Sequence, residues 1–129
     1  YLASDVLICD YSSTMFDFAN LGRPIVIYGE DWAEYRRLRG TYFDIMEEPP
    51  GVVTRSMEEL CRAFVSETYR SPSAMKQLDI FQARLCEFDD GRASERVVRK
   101  VFLGEEPEAP EPLHDPPVPL ATWNVDRPG

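Results

Sequence analysis

Two short apolar runs constrain this chain more than any other feature. Val6-Leu7-Ile8-Cys9 and Pro24-Ile25-Val26-Ile27-Tyr28 carry no charge. Runs of this kind, rich in β-branched residues, are the pattern of strands covered on both faces. Between them lie a polar turn, Asp10-Tyr11-Ser12-Ser13, and a stretch predicted to be helical to about Leu21. Gly22 then ends the helix, and Pro24 bars its continuation. Strand, helix and strand on such short links predict a parallel βαβ unit, and so an α/β fold.

The rest of the chain extends the pattern. Residues 31–39 read as a short helix capped by Asp31, residues 41–50 as loop, and Gly51-Val52-Val53 as a third strand. Ser56-Met57-Glu58-Glu59 matches a capping box, in which a serine and a glutamate three residues later satisfy free amides at a helix start. Met57, Leu60, Cys61, Phe64 and Val65 then recur at amphipathic helical spacing. A further helix is expected over residues 73–87, with Met75, Leu78, Phe81, Leu85 and Phe88 towards the core. Asp90-Gly91 breaks it. Ala93, Val97, Val98, Val101 and Phe102 mark a final amphipathic helix. Beyond Gly104 lie seven of the eleven prolines and six acids against one base. Such a segment buries too little apolar area to offset roughly 1–2 kcal/mol of backbone entropy per residue. The expected organisation is therefore a folded unit over 1–103 and a disordered, acidic, proline-rich tail over 104–129.

Composition narrows the function. The formal net charge is -9, and about half of it resides beyond Gly104. A nucleic-acid binder shows a basic surface, so no nucleic-acid partner is expected. Three widely spaced cysteines, Cys9, Cys61 and Cys86, each sit among apolar neighbours and read as reduced, buried thiols. One histidine, His114, leaves no set of ligands for a metal, and no cofactor is implied. There is no apolar run of membrane-spanning length. The chain opens at Tyr1, almost inside a strand, and reads as the C-terminal piece of a longer protein.

In open parallel sheets, ligands bind outside the carboxyl ends of the strands. Asp10, Ser12 and Ser13 sit at such an end. A helix start offers free amides that favour phosphate, and the serines add hydroxyls. Asp17 lies four residues after Ser13, on the same helix face one turn deeper. A carboxylate there accepts from polyol or ribose hydroxyls, so the pair suits a nucleotide-linked polyol or sugar. The same residues also suit a plainer role as helix caps and a solvated acid, and spacing alone leaves both open. Arg36, Arg37 and Arg39 fit either a pyrophosphate contact or a solvated helix end. The Arg39-Gly40-Thr41-Tyr42-Phe43-Asp44 stretch fits either a loop lining the site or ordinary packing.

Residues 1–13, Phe16-Asp17-Phe18-Ala19 and Arg23-Pro24-Ile25 resemble the C-terminal part of the CDP-glycerol glycerophosphotransferases, the teichoic acid glycerol-phosphate polymerases and primases. Arg39-Gly40, Tyr42-Phe43-Asp44, Pro50-Gly51, Glu58-Glu59-Leu60 and Asp90-Gly91-Arg92-Ala93-Ser94-Glu95-Arg96 continue the resemblance in the same order, through about residue 103. The resemblance implies a GT-B fold, two Rossmann-like halves with the active site between them. It implies transfer of glycerol phosphate from CDP-glycerol to a lipid-linked or polymer acceptor, by a peripheral protein on the cytoplasmic face of the membrane. Ser12, Ser13 and Asp17 match positions that contact the donor, while Asp10 and Arg39 are candidates to line the site.

The family's catalytic histidines precede this region, and no histidine precedes His114. The catalytic base and the acceptor-binding half are therefore expected upstream, as a missing N-terminal half of the same protein. The isolated piece is expected to be inactive, with exposed sheet edges that favour aggregation. Two other functions suit the same residues. One is a GT-B glycosyltransferase or ribitol-phosphate transferase using another nucleotide donor. The other is a non-catalytic interaction domain with the tail as a docking arm.

Overall fold

The structure, a computed structural model, describes residues 1–113. Three parallel strands form its sheet in the order β1-β2-β3: β1 (Leu7–Cys9), β2 (Ile25–Tyr28) and β3 (Val52–Thr54). Leu7 lies opposite Ile25 and Cys9 opposite Ile27, while Val26 lies opposite Val52 and Tyr28 opposite Thr54. The helices are α1 (Thr14–Ala19), α2 (Trp32–Arg39), α3 (Met57–Val65), α4 (Pro72–Leu85) and α5 (Ala93–Val97). The last of these widens into a π turn over Val98–Phe102. The expected parallel α/β architecture is what the chain adopts.

Why these residues give this core follows from side-chain alternation along β2. Ile25 and Ile27 point to one face and Val26 to the other, and all three are fully buried. On the first face they meet Met15, Phe18 and Ala19 of α1 and Leu78 and Phe81 of α4. Phe16 stacks on Phe81 with ring centroids 5.4 Å apart, which ties α1 to α4. Gln82 adds a hydrogen bond from its side-chain amide to the Ala19 carbonyl at the end of α1 (2.5 Å). Gly22 follows with φ of 63°, the left-handed conformation that stops the helix. The helix ends at Ala19, slightly short of the predicted Leu21.

On the second sheet edge, β3 lies against β2 closely enough to demand a glycine. A Cβ on Gly51 would stand 2.2 Å from the Ile25 carbonyl oxygen. Thr54 is buried, and its hydroxyl donates to the Ile27 carbonyl (3.0 Å), so this buried polar side chain of the core is satisfied. The other edge of the sheet, along β1, has no strand beside it among the described residues. Arg23 reaches back to hold the approach to β1, donating to the carbonyls of Leu2 (3.0 Å) and Ser4 (2.6 Å).

The capping box at α3 forms, with a change of partner. Ser56 Oγ accepts from the Glu59 amide (3.2 Å), but Glu59 reaches the Arg55 amide (2.7 Å). The apolar stripe of α3 is less buried than its periodicity suggests. Ala63 is its buried residue, whereas Met57 is 62% and Val65 87% exposed. Cys61 lies on that uncovered face, so the expectation of three buried thiols fails there. Cys86 is buried and Cys9 half-buried.

The loop after α4 joins three helices. Asn20, at the end of α1, donates to Asp89 (3.0 Å). The neighbouring Asp90 accepts from the Arg92 amide (2.9 Å) and from the Arg96 guanidinium of α5 (2.6 Å). Phe88, expected in the core, is 46% exposed. Beyond α5, Glu105 and Glu106 pair with Arg99 and Lys100, and the Leu113 amide donates to the Glu87 carbonyl (2.7 Å). His114 and the rest of the acidic tail, with Trp123, lie outside the described residues.

Candidate functional site

The carboxyl end of β1 runs directly into the polar turn. Asp10 Oδ1 accepts from the Ser12 amide (2.9 Å), an Asx-type bond that folds the chain back as it leaves the sheet. The Ser12 hydroxyl lies 2.8 Å from the Thr14 hydroxyl and accepts weakly from the Thr14 amide (3.4 Å). Ser12 is thus the side chain that satisfies the start of α1. Ser13 occupies the N-cap position and makes no side-chain cap bond. Its hydroxyl is exposed, and so is the Asp17 carboxylate one turn later. Asp17 forms no ion pair among the described residues, while Phe16 and Phe18 beside it anchor α1 in the core. α1 has only six residues. Its dipole is therefore small, and the hydroxyls and first-turn amides are its main means of holding an anion.

A second helix is fastened to the same turn. The Tyr11 ring packs 4.4 Å from Tyr35 and 5.0 Å from Trp32, centroid to centroid. Its hydroxyl donates to Asp31 Oδ1 (2.9 Å). Burial and that bond push the Tyr11 phenol well above its usual value, so it stays protonated. Asp31 had been expected to cap α2; it makes no side-chain cap bond and instead accepts from Tyr11. Arg39, at the far end of α2, is exposed and lies beside Gly40. Arg36 is committed to Asp44 (2.8 Å).

On the side of the turn facing α3 lies a groove of about 530 Å³. Ile8, Cys9 and Tyr28 form its floor, Met57 and Leu60 one wall, and Asp10 and Thr14 its polar mouth. Of the predicted site residues, Asp10 alone lines this groove; Ser12, Ser13, Asp17 and Arg39 do not. The site residues thus divide into Asp10 at the groove mouth, the Ser13 and Asp17 face of α1, and Arg39 at the end of α2. Thr14, Tyr11 and Tyr28 were missed. The run of three hydroxyls, Ser12-Ser13-Thr14, was the available signal for Thr14. Nothing local announces the bond between Tyr11 and Asp31.

The chemistry on offer is binding rather than proton transfer. The Cys9 thiol is pushed up to about 11, by burial first and by the Asp10 charge second, so it is no nucleophile at neutral pH. Tyr28 donates to Glu30 (2.8 Å), and that bond, with some burial, raises its phenol. Among the described residues, no cluster of His, Cys, Asp or Glu is arranged to hold a metal ion. The groove is lined by one carboxylate and no cation. A bound phosphate would need its positive countercharge from outside these elements.

The fold that these features define is a GT-B-type, Rossmann-like α/β unit, with a polar turn at the carboxyl end of a parallel strand. Residues 1–103 match the family described as CDP-Glycerol:Poly(glycerophosphate) glycerophosphotransferase, and the chain belongs to it. It is 42% identical over 109 residues to a teichoic acid poly(glycerol phosphate) polymerase of Bacillus subtilis (strain 168), covering 81% of this chain and 14% of that protein. It is 36% identical over 103 residues to a teichoic acid glycerol-phosphate transferase of Staphylococcus aureus, covering 79% of this chain and 26% of that one. A teichoic acid poly(ribitol-phosphate) polymerase of Bacillus spizizenii is 33% identical over 114 residues, covering 88% of this chain and 17% of that one. The solved structure of the wall teichoic acid polymerase TagF superposes with a TM-score of 0.68 at 32% identity, covering 80% of this chain and 26% of TagF. A TagF variant has also been solved after a soak with CDPG. The chain thus spans about a quarter or less of the relatives it matches.

Proposed function

We propose that this chain is the donor-binding part of a larger glycerophosphotransferase. That enzyme transfers glycerol phosphate from CDP-glycerol to a lipid-linked or polymer acceptor of the teichoic acid type, as a peripheral protein on the cytoplasmic face of the membrane. The observation that carries this reading is the pair Ser13 and Asp17, in a chain of this family. Both are exposed, one at the N-cap of α1 and the other one turn on, and neither side chain bonds to the other or to the rest of the described residues. Ser13 is placed to donate to a phosphate oxygen, and Asp17 to accept from a glycerol or ribose hydroxyl. Ser12 contributes through its place in the turn, with its hydroxyl tied to Thr14. Asp10 shapes the turn and the groove mouth, while Arg39, at the far end of α2 and away from the groove, is a candidate only if a donor extends that far.

In the intact enzyme a histidine from the rest of the polypeptide takes the proton from an acceptor hydroxyl. The resulting oxygen attacks the β-phosphate that bears glycerol, and CMP leaves. The turn's hydroxyl and amide donors stabilise the charge that builds on the phosphates. A ribitol-phosphate donor is the second reading, favoured by the likeness to the poly(ribitol-phosphate) polymerase.

Titration calorimetry of the complete polypeptide with CDP-glycerol, CDP-ribitol and a UDP-sugar tests both readings. Ser13→Ala and Asp17→Asn are each expected to weaken binding of the preferred donor by roughly tenfold, the value of one hydrogen bond of about 1.5 kcal/mol. Unchanged affinity in both variants would refute the site. Tighter binding of CDP-ribitol would transfer the assignment to the second reading. Transferase turnover by the 129-residue chain alone would contradict the division of labour proposed here.

A further inference from the structure

The turn after β1 has two anchors, and they differ in kind. Asp10 holds it from within, accepting from the Ser12 amide (2.9 Å). Tyr11 holds it from outside. Its ring lies 4.4 Å from that of Tyr35 and 5.0 Å from that of Trp32, and its hydroxyl donates to Asp31 (2.9 Å). The same ring covers Gly29, where a Cβ would stand 3.5 Å from both the ring and its hydroxyl. Tyr11 therefore joins the loop after β1 to the loop after β2. The two strands are neighbours, so both loops lie at the carboxyl end of the sheet, where parallel α/β folds bind their ligands.

The purpose of the second anchor follows from how little else holds these elements. No residue of α2 is fully buried, and its half-buried rings, Trp32 and Tyr35, are the two that meet Tyr11. Phe16 and Phe18 fix the middle of α1 in the core. Its start depends on the turn. Ser13 makes no side-chain cap bond, and the Ser12 hydroxyl bonds only within the turn, to Thr14. Neither serine side chain is tied to another element. Hydrogen bonds weaken steeply with distance and angle, so a hydroxyl that is to meet a phosphate must be aimed by something else.

We infer that Tyr11 is a positioning residue for the CDP-linked donor: its bond to Asp31 fixes the turn at the angle from which Ser13 meets a donor phosphate. Tyr11 itself does not touch the donor. The inference rests on the reading of Ser13 as a donor contact. It also accounts for Asp31, a residue type that favours the N-cap, making no cap bond to α2: its oxygen serves the neighbouring loop.

The test uses the complete polypeptide with CDP-glycerol or CDP-ribitol, whichever it binds more tightly. Tyr11→Phe keeps the ring and removes the bond. Asp31→Ala removes the acceptor, and Asp31→Asn keeps an oxygen in its place. Tyr11→Phe and Asp31→Ala are each expected to raise the KM for that nucleotide roughly three- to tenfold, with kcat within about twofold. The double variant should be no worse than either single one, because both remove the same bond. Asp31→Asn should stay within about twofold of the unaltered enzyme, since its oxygen still accepts. In a Ser13→Ala background, Tyr11→Phe should add less than about twofold, because it acts through that hydroxyl. A role in folding alone leaves fewer active molecules, so kcat falls and KM holds. That pattern would overturn the inference, as would an unchanged KM in Tyr11→Phe, or an Asp31→Asn enzyme as weak as Asp31→Ala. Ser13→Ala alone separates the two proposals. If it weakens binding and Tyr11→Phe does not, the donor contact stands and the positioning role fails. If Ser13→Ala has no effect, the serine is no donor contact and the inference falls with it.

Discussion

Replacing Gly51 by alanine tests whether the close approach of β3 to β2 sets the stability of the sheet. The added methyl would lie 2.2 Å from the Ile25 carbonyl oxygen, where ordinary contact begins at 3.4 Å. The atom in the way is backbone, so no side chain can turn aside. The strands must separate by about 1.2 Å. A backbone bond of about 2.9 Å stretched by that amount is no longer a hydrogen bond. Overpacking costs about 1–3 kcal/mol and each lost backbone bond about 1 kcal/mol. Opposing this, a Gly→Ala change removes unfolded-state freedom worth about 0.4–1 kcal/mol. Sterics win, and the net loss is about 1–4 kcal/mol, or roughly 5- to 700-fold in the opening equilibrium. Native-state amide exchange of Ile27, Val52 and Val53 in the complete polypeptide reads that equilibrium directly. A rise below threefold, or any slowing, would show that the strands are not held this tightly.

Two further outcomes follow from the titrating groups. Asp90 is held below the usual carboxylate range by the Arg96 guanidinium first and the Arg92 amide second. A depressed carboxyl contributes its full stability above its unfolded-chain value, about 4, and loses it as pH falls through the folded-state value. Amide exchange of α5 should therefore quicken as pH drops below about 4, after correction for intrinsic rates. In Asp90→Asn it should be fast at neutral pH and nearly flat in acid; a wild-type acid response in that variant would remove Asp90 from the account. For the thiols, Cys86 like Cys9 is pushed up to about 11, by burial first, while Cys61 is exposed. A disulfide reagent at pH 8 should consume one thiol per chain quickly and the other two only on unfolding. Cys61→Ser should abolish the fast phase.

The sequence disclosed most where one physical demand acted alone. Strand β2 needed burial on both faces, so its apolar run was unbroken, and Gly22 and Pro24 fixed where α1 had to stop. The equally unbroken run of β1 misled, because β1 lies at a sheet edge and Ile8 stays 47% exposed. The capping serine of α3 was legible because its bond is local. Periodicity failed where it was asked about partners. It marked the apolar stripe of α3 and the last helix correctly as helical, but it cannot say whether anything covers Met57, Val65 or Phe102. Asp31 was read as a cap because acids favour that position, yet a tyrosine twenty residues away claimed its oxygen. At the site, Asp10, Ser12, Ser13 and Asp17 were legible from their place after a strand. That Ser12 is occupied and Ser13 free depends on Thr14, whose hydroxyl chose one serine over the other.

The consecutive carboxylates after α4 have a mechanical consequence. Asp89 grips Asn20 at the end of α1, and Asp90 grips Arg96 in α5. The helix that presents Ser13 and Asp17 is thus joined to α5 through two adjacent residues, with little slack between them. A force on α5 arrives at α1 as a pull on its last turn. The loop after α4 thus acts as a yoke between the end of α1 and the start of α5.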